Sequence, residues 1–165
     1  MAEKLRNSEP HIEKSVEEDC VYFTVFWSRL ARAVKYDIIT KVPEQAGLLE
    51  LYYMDEHKRL YPMYTQRVWY GGLRSRLRRI TDPELVTDPV HRRTLENYNC
   101  YYRYTLTESM GDMLDLMYFF SLSYLPDREP PDHSGRYEQI FVDEVSPDKI
   151  TDLSDDYEKG AVHEA

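Results

Sequence analysis

Between residues 14 and 36 the apolar residues Val16, Cys20, Phe23, Trp27, Leu30 and Val34 recur at alternating spacings of four and three. That interval lines side chains up on one face of an α-helix. The pattern predicts a first helix over about 14–36, its stripe serving as core or as a partner-binding face. After Pro43 and Gly47 the period changes. Leu49, Leu51 and Tyr53 alternate with Leu48, Glu50 and Tyr52, which predicts a strand with apolar side chains on both faces. Asp55–Arg59 reads as a polar turn, and 60–70 as the second strand of a hairpin. Pro62 cannot donate to a ladder, so it marks an edge position or a bulge. Gly71 and Gly72 end that strand. Leu73, Leu77 and Ile80 then predict a short helix over 73–80, stopped by Thr81-Asp82-Pro83.

Asp88-Pro89 supplies a cap and a first-turn proline for another helix, running to about Tyr98. Residues 100–107 read as a third strand. A last helix runs from about Ser109 to Tyr124, with Met110, Met113, Leu114, Met117 and Phe120 inward. The elements from 46 to 124 follow the order ββααβα. The expected fold class is α+β: a small three-stranded antiparallel sheet flanked by helices, with an extra N-terminal helix. The expected organisation is a disordered N-terminus (1–12), one domain (13–126, with 46–124 as its core), and an acidic, proline-containing, partly disordered C-terminal extension (127–165). In that extension the apolar patch Tyr137–Val142 reads as an added strand or a docking segment. The chain beyond about 150 reads as a solvated tail.

At 165 residues the chain fits one domain. No apolar run approaches the roughly 20 residues needed to cross a bilayer, and the first residues lack the apolar core of a secretory signal. The reading is a cytoplasmic protein with no membrane partner. Cys20 and Cys100 make neither a disulfide framework nor a zinc site, and the five histidines show no ligand spacing.

Charge changes the picture. The net charge is −9, but residues 58–80 hold Lys58, Arg59, Arg67, Arg74, Arg76, Arg78 and Arg79 and no acid. The acids gather in 1–19 and 126–165. A partner meets the local field rather than the whole-chain value. Arg67, Trp69, Tyr70, Arg74, Arg76, Arg78 and Arg79 therefore form the candidate nucleic-acid-binding set, arginines for phosphates and rings for bases. Their partner would be DNA or an acidic protein. The competing reading of the run is a solvated helix face paired with nearby acids, and the acidic tail is a candidate cover for it. With 15 tyrosines, which pack a ring while keeping a polar tip, the chain also reads as a protein-interaction or self-associating domain, a homodimer included.

The ββααβα order, the Gly47-led first strand and the arginine-bearing helix after the second strand resemble the GIY-YIG nuclease domain, over roughly 46–124. The resemblance implies a small three-stranded antiparallel sheet and DNA cleavage, usually with one divalent metal ion. It implies a tyrosine in each of the first two strands, an arginine on the next helix and a glutamate on the helix after the third strand. Met63-Tyr64-Thr65 matches the second motif, Arg74 the helix arginine, and Asp115 comes nearest to the carboxylate, where Mg2+ or Mn2+ would bind. Leu49 stands at the first tyrosine position and has no hydroxyl; Tyr52 or Tyr53 fits only with a change of register. Phosphodiester hydrolysis needs an activated water, a metal and a cation on the phosphate. With Tyr64, Arg74 and Asp115 as catalytic residues the chain would be a metal-dependent nuclease. With those parts incomplete, it would be a non-catalytic binding module on the same scaffold, needing no cofactor.

Overall fold

A computed structural model describes residues 9–148. Seven strands and four helices follow in the order β1 (His11–Glu17), β2 (Cys20–Phe26), β3 (Ala31–Arg32), α1 (Lys35–Lys41), β4 (Gly47–Met54), β5 (Leu60–Val68), α2 (Gly72–Thr81), α3 (Pro89–Asn97), β6 (Asn99–Leu106), α4 (Met110–Tyr124) and β7 (Gln139–Val145). The class is α+β, but the small three-stranded core is corrected. There are two sheets: one of three strands in the order β1-β2-β7, and one of four in the order β3-β6-β4-β5.

The expected N-terminal helix is also corrected. Residues 11–26 form a hairpin closed by Glu18-Asp19, with Glu17 opposite Cys20 and Glu18 in the left-handed region at φ 54°. Val21, Phe23, Val25 and Trp27 are buried, whereas Val16 and Val34 of the supposed stripe are exposed. A spacing of two runs through this segment beside the spacing of three and four. Its β-branched and aromatic residues (CVYFTVF) suit a pleated surface better than a helix. β2 pairs antiparallel with β1 and parallel with β7, so the chain from 139 completes the first sheet.

In the second sheet β4 lies between β5 and β6, antiparallel to both. β5 is outermost. Leu51 faces Tyr64 while Tyr52 faces Pro62, so the ladder shifts at Pro62–Tyr64, and Pro62 takes both the edge and the bulge that its chemistry allows. Gly47 opens β4 because a Cβ there would lie 2.0 Å from the Thr105 carbonyl oxygen. One face of this sheet packs on α1 and α2 through Leu49, Leu51, Val68, Tyr102, Ile38, Val42, Leu73 and Leu77. Leu48, on the other face, joins Met113, Leu116 and Phe120 of α4 and Val21, Phe23, Val25 and Trp27 of the first sheet. On α4 it is Leu116, not Leu114, that is fully buried. Asp88 caps α3 as its sequence predicts, accepting from Val90 N at 2.9 Å. Ser109 caps α4, accepting from Asp112 N at 3.1 Å. Among the described residues no helix is long and apolar enough to cross a membrane.

Candidate functional site

The basic segment divides into arginines that brace the fold and arginines that face solvent. Gly71 and Gly72 start α2 at φ 79° and 76°, and a Cβ on Gly72 would lie 2.7 Å from the Glu44 backbone. The first-turn amides are taken by the preceding loop: Leu73 N donates to Gln45 O at 2.9 Å and Arg74 N to Pro43 O at 3.3 Å. This helix end is thus occupied by backbone carbonyls where a phosphate cradle would present open amides. Arg74 donates to Val42 O at 2.7 Å and to Glu44 Oε1 at 2.9 Å, tying α2 to the same loop. Arg76 donates to Gln66 Oε1 at 3.1 Å; burial, then the neighbouring Arg79, lowers its pKa.

The rest of the set is exposed. Arg67 points to the α4 side and reaches Met110 Sδ at 3.6 Å. Trp69 is 37% exposed and Tyr70 83%. Arg78 and Arg79 lie in solvent, and a Cβ on Gly71 would meet the Arg79 Nη2 at 4.0 Å. The Arg79 guanidinium therefore lies over the residue next to Tyr70. Arg78 borders a cleft of about 380 Å³ with Lys35, Thr81, Asp82 and Glu84.

Tyr64, Arg74 and Asp115 do not meet. Tyr64 belongs to the interior under α1 and α2, where its hydroxyl and His91 Nδ1 lie 2.7 Å apart. Burial, then Asp88, raises its pKa. Leu49 and Leu51 share that interior, while Tyr52 points to the opposite face with Glu50. Asp115 lies on α4, across the sheet. Its carboxylate accepts from Ser134 N at 2.8 Å, Ser134 Oγ at 2.9 Å and Arg136 Nη2 at 2.8 Å. Arg136 also bridges to Asp112 Oδ1 at 2.9 Å, as does Lys14 at 3.0 Å. The acidic flank of α4 thus anchors the 134–136 loop. Among the described residues no group of three or more His, Cys, Asp or Glu side chains could hold a metal ion.

The densest polar site escaped the sequence reading. Arg103 of β6 is 5% exposed and Glu50 of β4 is 3% exposed, and they pair at 3.0 Å. Tyr52 donates its hydroxyl to Glu50. Glu144 reaches in from β7, with a quarter of its side chain exposed, to 3.6 Å from Arg103. It accepts from the Trp27 indole at 2.9 Å and from the Tyr124 hydroxyl. The Arg103 guanidinium stacks 4.4 Å above the Trp27 ring. Burial alone would lower the Arg103 pKa, but Glu50, Tyr52 and Glu144 raise it above its usual value. Burial, then Glu50, raises that of Glu144. The available signal was a charge at the middle of an otherwise apolar strand, twice: Glu50 and Arg103. A strand interior keeps such a charge only against a partner.

A family model described as "Uncharacterised protein" matches residues 11–164. The chain belongs to that family. The match takes in all the described strands and helices and both polar networks. No curated protein and no solved structure matches the chain.

Proposed function

We propose that this chain is a non-catalytic binding module that engages an acidic protein segment through Trp69, Tyr70, Arg78 and Arg79. The observation that carries this reading is Tyr70, a large ring left 83% exposed, next in sequence to Gly71, over which the Arg79 guanidinium lies. Tryptophan, tyrosine and arginine are the side chains that carry binding energy at protein interfaces. The net charge of −9 disfavours a polyanion as long as a nucleic acid, while a short acidic segment meets only the local basic field. Binding is favoured over cleavage because the oxygens of Asp115 are engaged by Ser134 and Arg136, and Arg74 by Val42 and Glu44.

Fluorescence anisotropy with a labelled glutamate- and phenylalanine-rich peptide tests the reading, with a labelled oligothymidylate as competitor class. The peptide is expected to bind at low salt, to weaken as salt rises, and to lose about tenfold with Arg79→Glu or Tyr70→Ala. Binding of the oligonucleotide alone, or peptide binding indifferent to both substitutions, overturns it.

A further inference from the structure

A groove of about 310 Å³ runs between α4 and β7, lined among others by Tyr118, Phe119, Leu122, Tyr137, Ile140 and Phe141. Ile140 packs into the interior, whereas Phe141 is 44% exposed and stacks on Tyr22 across the outer face, ring centroids 5.0 Å apart. A groove touching consecutive residues from opposite faces of one strand lies along that strand's edge. β7 is the last strand of its sheet, and among the described residues its only ladder is with β2. Its outer edge therefore presents a row of backbone donors and acceptors next to an apolar slot.

The surroundings are acidic. Glu138 lines the groove, and its amide donates to Asp19 O at 2.8 Å, which sets Asp19 of the β1–β2 turn beside the start of β7. Asp143 is two residues beyond Phe141, on the same face. Glu138, Asp19 and Asp143 are all exposed. His133 also lines the groove, its Nδ1 accepting from Gly135 N at 2.9 Å, and Arg136 is held by Asp112 and Asp115.

We propose that this edge receives an extended, basic segment of a partner protein, added as a further strand beside β7. Backbone pairing gives such an addition its affinity and alternate side chains its specificity. Side chains pointing inward enter the slot against Tyr118 and Leu122, so they are apolar. Those pointing outward lie beside Phe141 and Asp143, so they are Lys or Arg. Charge disfavours the other occupants. Residues 149–165 hold five acids, Asp152, Asp155, Asp156, Glu158 and Glu164, against Lys149 and Lys159, and a second β7 would bring the same carboxylates.

The probe is a labelled peptide of alternating valine and lysine, tested on the full chain by anisotropy. Controls are its valine–glutamate counterpart and a version N-methylated at alternate residues. The valine–lysine peptide is expected to bind, both controls to fail, and Leu122→Asp to weaken binding at least about tenfold. Leu122 is 45% exposed, so the fold should survive, as circular dichroism would show; Phe141→Thr gives a second, independent loss. Failure of the valine–lysine peptide to bind, or binding unchanged by both substitutions, overturns the proposal. So does a peptide of sequence 149–165 that binds in a Leu122-dependent way, or a dimer in sedimentation that Leu122→Asp abolishes.

Discussion

Alternate residues of β4 look into two different interiors. Leu49 and Leu51 face α1 and α2, where apolar packing surrounds Gln66 and the Tyr64–His91 contact but no charged pair. Leu48, Glu50 and Tyr52 face the other way, where the hydrogen bonds of Glu50 with Arg103 and Tyr52 and those of Glu144 with Trp27 and Tyr124 are joined by the Arg103–Glu144 ion pair. Both faces are dry at β4 itself, where Leu51 and Tyr52 are 0% exposed, although the polar side is closed by Glu144 with a quarter of its side chain in solvent. What differs is how each tolerates loss. Apolar packing is a sum of small contacts, so removing one member costs that member and the cavity it leaves. A buried ionic set is conditional. Its charges are stable only while all are present, and removing one strands the others in a poor solvent.

The largest effect should therefore come from Arg103→Met, which keeps much of the side-chain volume and removes the charge that both glutamates face. The expected cost is about 4 kcal/mol in urea unfolding. Glu50→Leu combined with Arg103→Met should recover most of that loss, since the pair is then replaced rather than broken. A double variant as unstable as the single one would show that shape, not charge, holds this face together, and the comparison would fall.

Leu51→Ala measures the other face. The cost should be about 3 kcal/mol, and it should add to that of an apolar truncation in the opposite interior, such as Leu116→Ala, more nearly than the Glu50 and Arg103 changes add to each other. A smaller effect, local to this side, is expected at the cap of α3. Asp88→Ala removes the acceptor for Val90 N and should lower stability by about 1 kcal/mol, read as a shift in denaturant midpoint. The cap lies on the helix that carries His91 to Tyr64. A loss several times larger would mean that this contact behaves like the ionic set rather than like packing.

The division of β4 was legible because a strand's side chains alternate strictly. Leu49 and Leu51 separate from Leu48, Glu50 and Tyr52 by parity alone. Pro62 and Asp88-Pro89 were legible for a similar reason, since proline chemistry admits few backbone settings. What failed depends on distant partners. In residues 20–27 a two-residue period and a helical period coexist, and the choice falls to β7, more than a hundred residues away, which completes the sheet around β2. Glu50, Arg103 and Glu144 come from three strands, and no local spacing links them. The arginine run was visible as charge, but which arginines are tied down is set by the backbone of residues 42–45 lying against α2. The position of Asp115 on α4 suggests a metal ligand, but its partners Ser134 and Arg136 come from a loop that the helix pattern does not announce.

The smallest effect also says most about the polar face. Glu144 has a pKa raised above the ordinary 4.5 by burial and by Glu50, so the folded state takes up its proton more readily than the unfolded chain. The stability linked to that proton is fully present below the ordinary value and is lost as pH rises through the raised value. Glu144→Gln stands in for the protonated acid and can still accept from Trp27. The stability of the native chain relative to this variant should therefore rise as pH falls from neutrality toward 4.5, measured as paired urea midpoints across that range. Such a trend would divide the set into the Glu50–Arg103 ion pair and a third member that serves as a hydrogen-bond acceptor rather than as a charge. A native chain that instead loses ground on acidification would mean that Arg103 holds Glu144 ionised. The face would then rest on a three-charge network, and the conditional stability argued for the pair would extend to β7.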